Sequence, residues 1–333
     1  MGKTCYYSFS SNLLPSLFNL LSEEYTIIGP VEKNGKTIFS QVESYKQVKL
    51  NYIRTILPPK KYLQPPREEL MRFRYGESQV EVIEEAPQGK MAFFCLHPCD
   101  ANALIVLDRI YGEDFQDDYY FKRRKNSFIV VLDCAEGDEY CFCESVGADK
   151  PWEGSYDLYI TPIELDKAAI KAGSRKGLEI IRKLGLKKTE PPKVTGKKNL
   201  QKLSAKDIEA LEEKIDSPAW KNEAKPCLSC GTCTQVCPTC ACFDVMDMFT
   251  TPLKNGVRFR TWDSCIYSEF TRIAGGVVFR KNKVDRFKHR YYHKFVFIKK
   301  KHGFYGCVGC GRCIEECVRK INPVEVIRRI AKS

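Results

Sequence analysis

Two runs of cysteine constrain this chain more than any other feature. Cys227, Cys230, Cys233 and Cys237 follow the spacing C-x2-C-x2-C-x3-C and lead into Pro238; Cys307, Cys310, Cys313 and Cys317 repeat it about 70 residues on. Three thiols at three-residue intervals wrap one face of a cubane iron–sulfur cluster, while the fourth is carried off on a helix to a second cluster. The pattern predicts crossed ligation: Cys227, Cys230, Cys233 and Cys317 around one [4Fe-4S] cluster, and Cys307, Cys310, Cys313 and Cys237 around the other. Zinc also takes paired cysteines, but two complete runs in tandem are hard to fit to zinc sites. Gly231 and Gly311 fall in register with each other, where backbone must pass close to inorganic sulfur, and Val318 stands where proline usually follows the second run.

The remaining cysteines bear on where such a chain can work. There are 17 in 333 residues, a density expected of small secreted scaffolds that follow a signal peptide. The first residues, MGKTCYYSFSSNLLPSLFNLL, have one lysine, an apolar stretch broken by Pro15 and no small-residue cleavage site. No apolar run approaches the roughly 18 residues that span a bilayer. The expectation is a soluble, cytoplasmic chain whose thiols are metal ligands. A net charge of +12 suits nucleic acid, an anionic surface or an acidic protein. The basic segment 280–302, interleaved with Tyr291, Tyr292, Phe295 and Phe297, could bind single-stranded nucleic acid. A solvated basic face that docks an acidic partner is the favoured reading, with the alternation around 293–298 equally suited to a half-exposed strand. Neither G-x-x-x-x-G-K-[ST] nor G-x-G-x-x-G occurs, so nothing calls for a phosphate loop.

The expected fold class is α+β: a mixed α/β domain over 1–170, a basic connection and helix over 171–225, and a ferredoxin-like domain with two [4Fe-4S] clusters over 226–333. Residues 12–24 have a helical period, and 25–31 and 36–39 flank an Asn34-Gly35 hairpin turn. The Pro-rich stretch 57–66 reads as an ordered arm or loop. Apolar runs at 91–96 and 128–132, with a helical pattern at 101–111 between them, give the strand–helix–strand order of a parallel pair. Cys99 and Cys134 then emerge at the carboxyl edge of the sheet, where ligands of α/β folds bind, and Cys141-Phe142-Cys143 can close the site. The set Cys99, Cys134, Cys141 and Cys143 is expected to hold a third cluster. Cys95 is read as strand core, Asp100 as a helix cap or oxygen ligand, and Cys240, Cys242 and Cys265 as packing beside a cluster.

The stretches PPKKYLQPPREELMRF, HPCDANALIVLDRIY, YYFKRRKNSFIVVLDC, CFCESVGA, CLSCGTCTQVCPTCACFDV, WDSCIYSEFTRIAGG and GCVGCGRCIEEC resemble the β subunit of cytoplasmic NiFe hydrogenases (sulfhydrogenases) and the iron–sulfur electron-transfer subunit of anaerobic sulfite reductase. The resemblance runs from about residue 55 to the C-terminus. It implies an iron–sulfur relay between a flavin (FAD) subunit that handles NAD(P)H and a catalytic hydrogenase or sulfite reductase subunit, with no catalysis by this chain alone. Cys95, His97 and Gln64 depart from the family, which has Gly, Arg and an aromatic residue there. Two rivals remain: a flavin-containing β subunit of the deazaflavin-dependent hydrogenase type, and a nucleic-acid-binding iron–sulfur protein.

Overall fold

In the computed structural model, which describes residues 5–76, 79–84, 87–134, 136–164, 166–192, 201–250 and 254–333, the apolar runs become strands buried on both faces. The described strands are β1 (Tyr6–Ser10), β2 (Thr26–Lys33), β3 (Lys36–Gln41), β4 (Arg67–Tyr75), β5 (Val80–Glu84), β6 (Met91–Leu96), β7 (Ser127–Leu132), β8 (Leu158–Glu164), β9 (Lys167–Ala172), β10 (Lys188–Thr189), β11 (Phe243–Phe249) and β12 (Asn255–Trp262). Eight form a mixed sheet in the order β10-β1-β9-β8-β7-β6-β2-β3. The central strands β8, β7, β6 and β2 are parallel to one another, as continuous apolar strands covered on both faces tend to be. Phe93, Phe94, Leu96, Val130 and Val131 are fully buried there. Helix Pro98–Tyr111 leaves the carboxyl end of β6, and the 133–147 loop leaves that of β7, so one sheet edge presents Cys99, Cys134, Cys141 and Cys143. The β2–β3 hairpin turns at Asn34 and Gly35, with φ of 52° and 70°, the positive angles that an Asn-Gly turn supplies.

The second sheet, β11-β12-β4-β5, is antiparallel throughout. Its strands come from both sides of the 171–225 segment, so one sheet crosses the partition expected from sequence. Its near end is locked by Arg260, whose buried guanidinium bonds Glu68 at 2.7 Å and pairs with Asp117 ahead of helix Asp118–Lys125.

Three local expectations are corrected. The Pro-rich stretch contains one helical turn, Lys60–Leu63, capped by Pro59. Proline is excluded from helix interiors but fits the entrance to a first turn, and Pro65-Pro66 follow the turn. The lysine-rich region after 171 contains helix Arg175–Lys183 and edge strand β10, both part of the large sheet's layer. Ile180 and Ile181 are buried while the basic side chains face solvent, so the lysines mark the outer face of an element. Residues 293–298 are helical: helix Lys283–Tyr292 passes through a π turn at His293–Phe297 into helix Ile298–His302. Phe287, Tyr291 and Phe295 recur every four residues and are buried, Phe287 and Tyr291 against Trp220. That helical period outweighs the short-range alternation.

The same helix half-buries two histidines. His289 and His293 stack with ring centroids 5.6 Å apart. Burial pushes them down to about 4 and about 3, helped by Arg280 beside His289 and by Lys294 beside His293. Unfolded histidine takes up a proton near pH 6.5, whereas these stay neutral until well below it. The unfolded chain therefore binds more protons between about pH 4 and 6.5, and stability falls as pH drops through that window. Thermal unfolding under anaerobic conditions at pH 7.5 and 5.5 should show a smaller drop for a His289→Gln/His293→Gln variant than for the parent; an equal drop would mean the pair is not the source.

Candidate metal centre

The two cysteine runs fold alike, residue for residue. Ser229 and Gly309 have φ of 57° and 62°, and Gly231 and Gly311 have φ of 75° and 78°. The turn so formed aims the N–H of Ser229 at Cys227 Sγ and that of Gly309 at Cys307 Sγ, each at 3.4 Å. One-turn helices follow, Thr232–Gln235 and Arg312–Glu315, and carry Cys237 and Cys317 away.

Two cavities lie between the runs. One is walled by Cys227, Cys230, Cys233 and Cys317 with Ile266 and Tyr291. The other is walled by Cys307, Cys310 and Cys237 with Phe142 and Lys294. Cys313 and Arg290 line both. Each cavity thus meets three cysteines of one run and the last cysteine of the other. Burial pushes the Cys233 and Cys310 thiols up to about 12, so turning them into thiolate ligands requires the positive charge that iron brings.

The surroundings suit the negative charge of thiolate-bound clusters. Arg290 lies half-buried between the cavities, its Nη2 donating to the Cys233 carbonyl at 3.3 Å, and its Nε has no partner among the described residues. Burial works against its charge, but Cys233, Cys313 and Cys237 outweigh it and hold the guanidinium protonated. Lys294 donates to Thr239 Oγ1 at 2.6 Å and to the Thr239 carbonyl at 3.0 Å, and Cys237 and Cys240 likewise favour its charge. A buried cation needs such counter-charge. Sequence reading placed this basic segment on a solvated face; the signal it missed is the four-residue spacing of Arg290 and Lys294, which puts both on the helix face toward the thiols.

The N-terminal cysteines approach the second run. Phe142 N donates to the Gly309 carbonyl at 2.9 Å. A Cβ on Gly309 would fall 2.5 Å from the Cys143 nitrogen, and one on Gly311 would fall 2.7 Å from the Tyr140 Cβ; only glycine lets the loop lie this close. Cys99, in the first turn of helix Pro98–Tyr111, is half-buried within electrostatic reach of Cys143 and Cys310, and its thiol is pushed well up, mainly by desolvation. Cys143 opens the short turn Cys143–Val146, and Cys141 Sγ accepts from Arg54 Nη2 at 3.3 Å. Cys134 Sγ donates to the Glu136 carbonyl at 3.1 Å. The structure therefore gathers Cys99 and Cys143 against the second run, with Cys141 on the Arg54 side of the same loop and Cys134 turned toward 136.

Two arginines that sequence reading passed over fasten this arrangement. Arg54 bonds the Cys310 carbonyl at 3.0 Å and Glu315 at 2.7 Å, and pairs with Asp138. Arg312 bonds Asp100 through both oxygens at 2.7 and 2.8 Å, and Thr55 through its carbonyl and hydroxyl. Asp100 is accordingly neither cap nor free ligand: His97 occupies the cap position, and the carboxylate is committed to Arg312. Arg312 sits between two cysteines of a run, where only the cysteines attract notice.

The three departures have structural reasons. Cys95 is fully buried with φ of 60°, at a break in the β6–β7 register, and its carbonyl accepts from Tyr52 OH at 2.7 Å. That conformation is the one glycine adopts without strain. His97 stacks on Tyr52 at 4.1 Å, with Nε2 2.8 Å from the Tyr52 carbonyl. Gln64 is buried with neither side-chain polar atom bonded among the described residues, a place where an aromatic ring avoids the cost of burying an amide.

Among the described residues, no helix is long and apolar enough to cross a membrane. The profile of the 4Fe-4S dicluster domain matches residues 226–321, which carry every cysteine that lines the two cavities, and accounts for two [4Fe-4S] clusters. Sulfhydrogenase 2 subunit beta of Pyrococcus furiosus is 37% identical over 339 aligned positions, covering 98% of each chain. No solved structure matches. The chain belongs to the sulfhydrogenase beta-subunit family, and is an iron–sulfur oxidoreductase subunit with a C-terminal 4Fe-4S dicluster domain.

Proposed function

We propose that this chain relays single electrons between a flavin partner linked to NAD(P)H and a catalytic subunit of hydrogenase or sulfite reductase type. The reading rests on one observation above the rest: two cysteine-walled cavities share Cys313 and Arg290, and the 138–143 loop lies directly on the second of them. That arrangement supports a series of three closely spaced centres, the last held by Cys99, Cys134, Cys141 and Cys143. Bound [4Fe-4S] clusters supply one-electron storage; the protein sets their distance and potential. The backbone N–H groups on Cys227 and Cys307, together with Arg290, stabilise added negative charge and so favour reduction. A complex partner is supported by the relative, which is itself a subunit of a sulfhydrogenase.

Crossed ligation gives the test. Cys317→Ala should abolish the paramagnetic signal of the cluster attached to Cys227, Cys230 and Cys233, and Cys237→Ala that of the cluster attached to Cys307, Cys310 and Cys313. In the reconstituted complex each variant should lose NAD(P)H-linked turnover but keep activity with an artificial dye that enters at the catalytic subunit. If each substitution damages only the cluster of its own run, the ligand assignment is wrong; if turnover survives loss of both signals, the relay is wrong.

A further inference from the structure

Five cysteines lie outside every ligand set above, and two of them, Cys242 and Cys265, lie side by side. Cys242 immediately precedes β11 and Cys265 lies three residues past β12, so the open end of this hairpin brings them together. Asp263 N donates to the Cys242 carbonyl at 3.0 Å and holds the two segments side by side. The Cys242 thiol lies against the thiol and the backbone N–H of Cys265, which favour it as the thiolate of the two. Cys265 is 4% exposed.

The pair also abuts the metal centre on two sides. Ser264, beside Cys265, accepts from the Thr234 hydroxyl at 2.7 Å inside the first run. Ile266, on its other side, walls the first cavity, and Tyr267 OH donates to the Cys230 carbonyl at 3.3 Å. On the other flank, Cys240 lies against Cys237 and stands within electrostatic reach of Cys242. Lys60 reaches in from the N-terminal part of the chain: its buried ammonium donates to the Cys240 carbonyl at 2.7 Å and lies 4.2 Å over the Trp262 ring.

We propose that Cys242 and Cys265 form a redox-active dithiol coupled to the neighbouring clusters. On oxidation the two S–H bonds break, one S–S bond forms, two protons go to solvent, and two electrons leave singly to the oxidised [4Fe-4S] clusters. Reduction reverses this, with reduced clusters as the donor. The chemistry favours the pair: thiolate is the attacking form, and Cys242 is drawn down to about 7, chiefly by the Cys265 thiol, with Lys294 and Lys60 assisting. The dithiol gives a one-electron relay a two-electron store. The coupling rests on the cluster ligation proposed above, whereas the disulfide itself does not.

The test uses full-length, cluster-loaded protein prepared without oxygen. Aliquots are poised oxidised or reduced with dithionite, quenched in acid, alkylated and mapped by mass spectrometry. The expected result is a Cys242–Cys265 crosslink in the oxidised sample, opened on reduction, with iron content and paramagnetic signals intact. In a reductive titration the parent should take up about two electrons more per chain than Cys242→Ser or Cys265→Ser, as a two-electron couple requires. Both thiols alkylated at every potential would overturn the proposal. So would loss of a cluster's worth of iron in Cys265→Ser, which would make that residue a ligand. A crosslink opened by added thiol but not through reduced clusters would overturn the coupling. The ferredoxin ligation is judged separately, by the cluster signals that both serine variants must retain.

Discussion

Replacing Arg312 by methionine is expected to destabilise the protein by about 3–5 kcal/mol, the usual cost of removing one member of a buried ion pair. Arg312 and Asp100 are each about 1% exposed at the side chain, and the guanidinium makes four bonds across 212 to 257 residues of sequence. Without it the Asp100 carboxylate stays buried beside Cys99 and Cys310 with no counter-charge, and Thr55 loses the partner of its carbonyl. Most of the loss comes from the abandoned carboxylate, so Asp100→Asn in the same chain should recover a large part of it. Arg312→Lys should recover little, because an ammonium cannot match the planar, two-pronged contact. Anaerobic thermal unfolding of the single and double variants checks this; equal destabilisation by Arg312→Met with and without Asp100→Asn would mean that packing, not charge, is at stake. The Arg312→Met protein should also shed its clusters faster, because Arg312 shares a helical turn with Cys313 and holds the second run against the N-terminal part of the chain.

What could be read from sequence follows from the range of the forces involved. Cluster spacing is a local constraint, and the two runs, the Asn34-Gly35 turn and β6 and β7 are all local patterns that the structure reproduces. Long-range pairings left no such trace. β4 pairs on one side with β12, more than 180 residues on, and nothing in 67–75 points to it. Charge misled in the same way. Lysine and arginine read as solvent-facing, which is right for helix Arg175–Lys183 and wrong for Arg290, Lys294, Arg54 and Arg312. Burying a cation is tolerated only where something negative waits for it, and that partner is a thiolate-bound cluster or a distant carboxylate that spacing along the chain cannot reveal. The basic segment becomes intelligible only when its four-residue period is set beside the cysteines it faces.

The second large effect concerns the N-terminal thiols. A cubane held by four thiolates loses a ligand irreplaceably when one cysteine becomes alanine, leaving an iron open and the cluster labile. If Cys99, Cys134, Cys141 and Cys143 hold a third cluster, anaerobically purified protein contains about twelve iron atoms per chain, and Cys143→Ala or Cys134→Ala contains about eight. The third paramagnetic signal should vanish in both while the two C-terminal signals persist, and NAD(P)H-linked turnover of the complex should fall to background. Cys134 is the discriminating position, because its thiol now donates to the Glu136 carbonyl while Cys99 and Cys143 face the second run; as a ligand it must turn inward. Cys95 supplies the control. Its thiol is core, so Cys95→Ala should cost about 1 kcal/mol of buried contact and spare the cluster. Cys95→Gly should cost less than that contact alone implies, because glycine releases the strain of a positive φ. Loss of the third signal in Cys95→Ala but not in Cys143→Ala would reverse the assignment. Iron staying near eight in the parent would leave the 138–143 loop as a structural brace, with Arg54 holding it against the second run.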